Sequence, residues 1–240
     1  MGERAATPTD YDAVAEAYAA DNEKSFANAY YERPATLALA GDVAGRRVLD
    51  AGCGAGPLFA ALRDRGAIVT GVDVSSGMLA QARRRLGADA DLRVADLAEP
   101  LPFPDAAFDD VIASLVLHYL RDWGPALAEL RRVLRPGGRL IVSVNHPAAD
   151  YCAERLAGRR PDYFSTYANP ARWPVGDQVV SVTFWNRPLH AMTDAFAAAG
   201  FRISAISEPA PLPEARDLFP EESAFYAGAP NFLFFVLQAG

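Results

Sequence analysis

The 240 residues of this chain suit a single α/β domain with a full hydrophobic core. Hydrophobic residues make up 51% of the chain, as in globular proteins, while a net charge of −7 and a pI near 5.0 argue against a surface built to neutralise nucleic-acid phosphates. The two cysteines, the lack of any apolar run of the ~18 residues a membrane span needs, and a polar N-terminus predict a cytoplasmic protein with no disulfide framework, metal site or membrane partner.

In chain order, residues 1–9 read as disordered, and the first helix is expected from Tyr11 to Asp21. Its apolar face would carry Tyr11, Val14, Ala15 and Tyr18, with Thr9 or Asp10 as N-cap. A second helical segment is expected from about Ser25 to Leu39, with a break at Pro34.

The next segment is the most informative. Val48-Leu49-Asp50 is an apolar run ending in an acid, and Gly52, Gly54 and Gly56 follow at alternate positions. A helical pattern then begins at once with Pro57, Leu58, Phe59 and Leu62. This is a buried strand, a tight loop and a helix N-terminus, the place where α/β sheets take ligands. A dinucleotide fingerprint would put its third glycine where Pro57 stands. Asp50 would repel a pyrophosphate and attract an ammonium group. The ligand implied has an amine and a nucleoside but no phosphate, which describes S-adenosylmethionine.

Asp73 ends the following run, Ala67 to Val72, roughly twenty residues beyond the loop, the distance at which an acid meets a ribose diol. Val74 and Met78 are placed to pack on an adenine face. A third run, Asp91 to Ala95, ends in Asp96-Leu97, where an acid can accept from the adenine amino group. The strand Val111 to Ser114 follows, then a helix from Pro125 to Leu134, closed by Arg135-Pro136-Gly137-Gly138, and a strand from Arg139 to Val144. The basic runs Arg83-Arg84-Arg85 and Arg131-Arg132 read as solvated helix faces.

Residues 147–187 look like an insert, rich in aromatics and in turn-forming prolines, with strand-like alternation from Val179 to Trp185. A helix from Pro188 to Ala199, a strand from Phe201 to Ile206, a proline-rich loop and a last apolar strand from Asn231 to Leu237 complete the chain.

Four segments together resemble the class I S-adenosylmethionine-dependent methyltransferases of the small-molecule group (methyltransferase type 11-like). They are LDAGCGAG (49–56), GVDVSSGMLAQAR (71–83), ADLAEPLPFPDAAFDDVIASLVLHYL (95–120) and LRRVLRPGGRLIVS (130–143). The resemblance spans roughly Tyr11 to Val144 and rests on the order and spacing of the segments. It implies a Rossmann-like α/β three-layer sandwich around a seven-stranded, mostly parallel sheet, with one antiparallel strand near an edge. The chain then divides into an N-terminal helical lid (1–44), a cofactor core (45–146), a substrate cap after the fifth strand (147–187) and the C-terminal part of the sheet (188–240).

By carry-over, Asp50, Gly52 and Gly54 hold the methionine end of S-adenosylmethionine, with Cys53 between them, and Asp73 holds the ribose. Met78, Asp96 and Leu97 frame the adenine, with Val74 and Ala95 beside them. The Ser114 backbone meets the amino group, and Leu115, Tyr119 and the lid residue Tyr18 complete the cofactor set.

For the chemistry, His118 lies just past the fourth strand and His146 just past the fifth, so both are candidate bases and substrate contacts. Tyr11, Tyr163, Phe164 and Trp185 are the further candidates for the acceptor pocket. The expected reaction is methyl transfer to an O, N or C atom of a small-molecule acceptor, leaving S-adenosylhomocysteine and needing no metal, in a monomer or homodimer without a nucleic-acid partner. The alternative is a cofactor-binding protein that does not methylate, acting in cyclisation or rearrangement of a natural product or in regulation.

Overall fold

The computed structural model describes residues 12–175, 178–225 and 228–240, so Tyr11, the stretch 1–9 and both candidate N-caps lie outside the described residues. The apolar runs become strands β1 (Arg47–Ala51), β2 (Ile68–Asp73), β3 (Asp91–Val94), β4 (Phe108–Ser114) and β5 (Leu134–Asn145). After them come β6 (Tyr167–Val175), β7 (Gln178–Asn186), β8 (Phe201–Ser207) and β9 (Phe232–Ala239). Seven strands form one sheet in the order β3-β2-β1-β4-β5-β9-β8. β1 to β5 pair in parallel, and β9 runs antiparallel to both of its neighbours. β6 and β7 form a separate antiparallel hairpin.

The main helices are α1 (Ala15–Asn22), α2 (Arg33–Ala40), α3 (Pro57–Asp64), α4 (Ser76–Leu86), α5 (Gly124–Val133), α6 (Pro147–Leu156) and α7 (Leu189–Ala198). Alternation along the buried strands sends side chains to both faces of the sheet. Leu49, Val111 and Ala113 pack against Leu127 of α5 and Phe196 of α7. Val48, Ile112 and Ile141 pack against Phe59 of α3 and Leu79 of α4. The result is the three-layer α/β sandwich.

Three local expectations are corrected. Pro34 does not break the second helical segment: a π-helical turn over Asn28–Glu32 runs directly into α2, with Pro34 in its first turn. Proline has no N–H for the carbonyl of Tyr30, and that carbonyl instead accepts the Leu212 N–H at 2.8 Å. Nor does Arg135-Pro136-Gly137-Gly138 separate helix from strand. β5 starts at Leu134, paired with Phe108, and a register shift between Phe108 and Asp110 absorbs the turn. The arginine runs are also more than solvated faces. Arg85 donates to the Ala55 carbonyl at 3.0 Å and pairs with Glu23, and Arg132 holds Glu129, Asp105 and two loop carbonyls.

The N-terminal segment docks on α4. The Asp12 carboxylate accepts from the Ser75 hydroxyl and, at 2.8 Å, from the Gly77 N–H at the start of that helix. Val14 also packs with Val180, Val182 and Phe184 of β7, so the N-terminal segment and the hairpin meet. Among the described residues, no helix is long and apolar enough to cross a membrane.

Candidate functional site

β1 and β4 lie side by side, and the chain leaves them toward opposite edges of the sheet, to β2 from one and to β5 from the other. Their carboxyl ends therefore open a crevice at the switch point of the sheet. A cavity of about 740 Å³ lies there and reaches the hairpin residues Thr183 and Trp185. That volume falls within the ~300–1,000 Å³ range of small-ligand sites.

The loop after β1 is shaped by its glycines. Gly52, Gly54 and Gly56 have φ of 79°, 53° and 78°, left-handed values that strain any other residue. Packing also excludes a side chain at Gly52, where a Cβ would lie 2.5 Å from Cγ2 of Val116. The folded-back loop aims the Gly54 N–H at Asp73 Oδ2, 2.8 Å away, while Asp73 Oδ1 takes the Ser75 N–H at 2.9 Å. Past β4 the chain turns through Leu115, which holds a φ of 47°. Its N–H is fixed by the Ser143 carbonyl at 3.1 Å.

Two buried acids on neighbouring strands contrast sharply. Asp110 of β4 is registered against Val48, two residues before Asp50 on β1. It is fully buried, and both of its oxygens are paired, with Arg139 at 2.8 and 2.9 Å and with Arg46. Asp50 is 1% exposed and lines the cavity, yet its Oδ2 has no hydrogen-bond partner. Burial, and then the nearby Asp73 and Glu32 carboxylates, push its carboxyl up to about 8. Asp110 is a structural cross-link. Oδ2 of Asp50 is an acceptor without a donor beside a cavity, which calls for a cationic ligand.

Glu32, missed in the sequence, is the second buried acid of the cavity wall. Its Oε1 accepts from the hydroxyls of Thr36 at 2.6 Å, Ser114 at 2.8 Å and Ser143. It thereby ties the segment before α2 to the ends of β4 and β5. Beside it, Arg33 donates to the Asn22 side chain at 2.8 Å. Cys53 is buried in the loop, and burial raises its thiol, so it stays protonated.

The structure brings together one group of expected residues. Tyr18, Asp50, Gly52, Cys53, Gly54 and Asp73 all line the cavity, as do Val74, Met78, Ala95, Asp96 and Leu97, and Ser114, Leu115 and Tyr119. Trp185 lines it too. Four other expected residues, His118, His146, Tyr163 and Phe164, are not among the residues that line it. His118 is buried, accepts the Asn145 N–H at 3.4 Å through Nδ1 and stands edge-on to Tyr119 and Phe184. Burial lowers its pKa to about 3, which makes it a very weak base. His146 caps α6 through Nδ1, which accepts the Ala148 N–H at 3.2 Å, and its Nε2 meets Glu208 at 2.6 Å. Tyr163 packs between Tyr151 and Phe164, and Phe164 is largely exposed.

The cavity also takes in residues not foreseen, among them Asn28, Glu32, Arg33, Arg121 and Thr183. The signal for Thr183 was present, because period-two alternation puts it on the same face of β7 as Trp185. Nothing local marked Glu32 or Arg121.

A family model described as a methyltransferase domain matches residues 49–142. Over 99 residues the chain is 46% identical to a malonyl-[acyl-carrier protein] O-methyltransferase from Serratia marcescens, covering 41% of this chain and 38% of that protein. Over 134 residues it is 40% identical to a demethylmenaquinone methyltransferase from Clavibacter sepedonicus, covering 55% of each. The chain thus spans about half or less of the length of these curated relatives. The solved structure of an S-adenosylmethionine-dependent methyltransferase from Mesorhizobium loti aligns with a TM-score of 0.66 at 26% identity, covering 85% of this chain and 96% of that one.

Proposed function

We propose that this chain, a class I S-adenosylmethionine-dependent methyltransferase by family and fold, binds S-adenosylmethionine in the 740 Å³ cavity and methylates a small-molecule acceptor that enters beside the β6–β7 hairpin. The observation that carries this reading is the unpartnered Asp50 Oδ2 at the carboxyl end of β1.

The residues present fit such a ligand. Asp50 would take the α-ammonium group, whose positive charge favours the carboxylate form. Asp73, held in place by its backbone donors, would accept from the ribose hydroxyls. Met78 and Leu97 would flank the adenine, with Asp96 at its amino group. When bound, the sulfonium supplies an already activated methyl group.

The work left to the chain is alignment and the exclusion of water. Holding two reactants in line is worth up to about 7–11 kcal/mol of the barrier. The rigid glycine loop would fix one partner, and the N-terminal segment with the hairpin would cover the other. We assign residues 12–40 the role of a lid and residues 147–187 that of a cap.

The test is calorimetric titration with S-adenosylmethionine, S-adenosylhomocysteine and NAD, followed by product analysis with acceptors. A malonyl thioester and a demethylated quinol, chosen to match the names of the relatives, come first. Micromolar binding of the sulfur pair, about −8 kcal/mol, without NAD binding supports the cofactor assignment. S-adenosylhomocysteine formed in step with a methylated product supports transfer. Cofactor retained with no turnover on any acceptor would replace transfer with a non-methylating role.

A further inference from the structure

We infer that Glu32 is a second anchor for the cofactor's α-ammonium group, sharing it with Asp50 and setting the preference of the site for a cofactor that carries an amine; this rests on the cofactor assignment above. Both acids line the cavity and both are buried, Asp50 at 1% exposure and Glu32 at 3%.

The sheet places them side by side. Asp50 is registered against Ile112 of β4, and that strand ends two residues later at Ser114. Glu32 Oε1 accepts the Ser114 hydroxyl at 2.8 Å. Ser114 is registered against Ser143 of β5, whose hydroxyl donates to the same oxygen. Thr36, one helical turn beyond Glu32, donates to it at 2.6 Å. Glu32 is therefore pinned over the carboxyl ends of β4 and β5, one strand away from Asp50. The two acids are near enough for Glu32 to help raise the pKa of Asp50.

Only one oxygen does the pinning. All three hydroxyls go to Oε1, and among the described residues no hydrogen bond engages Oε2. The adjacent cation does not serve it: Arg33 directs Nη2 to the Asn22 carbonyl at 3.0 Å and to the Asn22 side chain at 2.8 Å. Asp50 Oδ2 is likewise without a donor. An ammonium group carries three N–H donors, and these two oxygens supply acceptors for two of them. Charge-assisted bonds to acids from two different elements fix the direction of the methionine chain, and so of its sulfur, more firmly than one bond does. Because Glu32 belongs to the N-terminal segment, the amine also ties that segment to the sheet.

The probes are S-adenosylhomocysteine and its deaminated analogue, in which hydrogen replaces the amino group, titrated by calorimetry. The wild type is expected to prefer the amine by at least about 100-fold, as two charge-assisted bonds provide. Glu32→Gln keeps a carbonyl oxygen for the three hydroxyls and puts an N–H donor in place of Oε2. It should shrink the preference by about tenfold or more while affinity for the deaminated analogue stays within about twofold. Asp50→Asn should shrink the preference too but leave at least about fivefold, and the double variant should lose most of that remainder. A loss in Glu32→Gln that is equal for both ligands marks a purely structural role and overturns the inference. So does a preference that Asp50→Asn alone erases, a result that does not depend on how the Glu32 variant folds. No binding of S-adenosylhomocysteine by the wild type overturns instead the cofactor assignment on which the inference rests.

Discussion

Gly54 donates its backbone N–H to Asp73 Oδ2 at 2.8 Å, so the acid that ends β2 is bonded to the middle glycine of the loop that follows β1. The second oxygen takes Ser75 N–H at the start of α4. One carboxylate thus sets the separation of two loops that both face the cavity, and its remaining lone pairs are left for a ligand. Asp73→Ala frees both N–H groups and should lower stability by about 2–3 kcal/mol. It should also weaken S-adenosylhomocysteine binding by about tenfold or more. Asp73→Asn keeps the shape and should recover more of the stability than of the affinity. Denaturation and calorimetry on the same three proteins check this. Equal affinity in all three removes Asp73 from ligand contact.

The ionisation of Asp50 predicts a pH dependence. Burial and two neighbouring acids raise its folded pKa to about 8, above the ordinary 3.8. The folded protein therefore holds a proton that the unfolded chain releases. This contribution to stability is complete below about pH 4 and erodes as pH rises toward 8, by at most about 1.4 kcal/mol per unit. Against Asp50→Asn, which has no proton to lose, the wild type should look relatively weaker at pH 8 than at pH 5.5. Bound ammonium should reverse the trend, with proton release seen as a buffer-dependent binding enthalpy. Parallel stability curves for the two proteins at both pH values would mean that Asp50 ionises normally.

His118 predicts the opposite slope. Its folded pKa, about 3, lies below the ordinary 6.5 because burial disfavours the imidazolium. The neutral ring stabilises the fold fully above pH 6.5, and that contribution is lost as pH falls toward 3. His118→Phe keeps the edge contacts with Tyr119 and Phe184 and loses only the acceptor for Asn145 N–H. It should cost about 1–2 kcal/mol at pH 7.5 and narrow that gap as the solution is acidified. Turnover should show no ionisation near 6.5 assignable to this residue. A turnover limb near 6.5 that disappears in the variant would restore His118 as a base.

Glu32 should couple strongly to the serines it accepts from. Glu32→Ala leaves the hydroxyls of Thr36, Ser114 and Ser143 without their acceptor at the cavity floor, at a cost of about 2–4 kcal/mol. In a double-mutant cycle with Ser143→Ala the coupling should exceed about 0.5 kcal/mol, because the two are in direct contact. Additive losses would show that the carboxylate holds the segment before α2 without help from β5.

The sequence by itself determined the sheet and the acidic end of the cavity. Strand, acid, glycine loop and helix follow one another within a few residues at 48–62, so hydrophobic period, turn chemistry and the placement of Asp50 are local facts. The same holds for Asp73 and Asp96, each at the end of its own apolar run. Two residues take their surroundings from distant segments. Pro34 reads as a helix break until Leu212, far along the chain, is found on the carbonyl that proline leaves without a donor. His118 looks like a base from its place after β4, but packing against Phe184 of the hairpin seals it in the core.

Hydrophobic period and turn residues act over a few positions and are written in the chain. Which polar groups are left unpaired in a cavity, and which are used up by a partner, depends on residues up to 111 positions apart, as with Glu32 and Ser143, and only the folded chain brings them together.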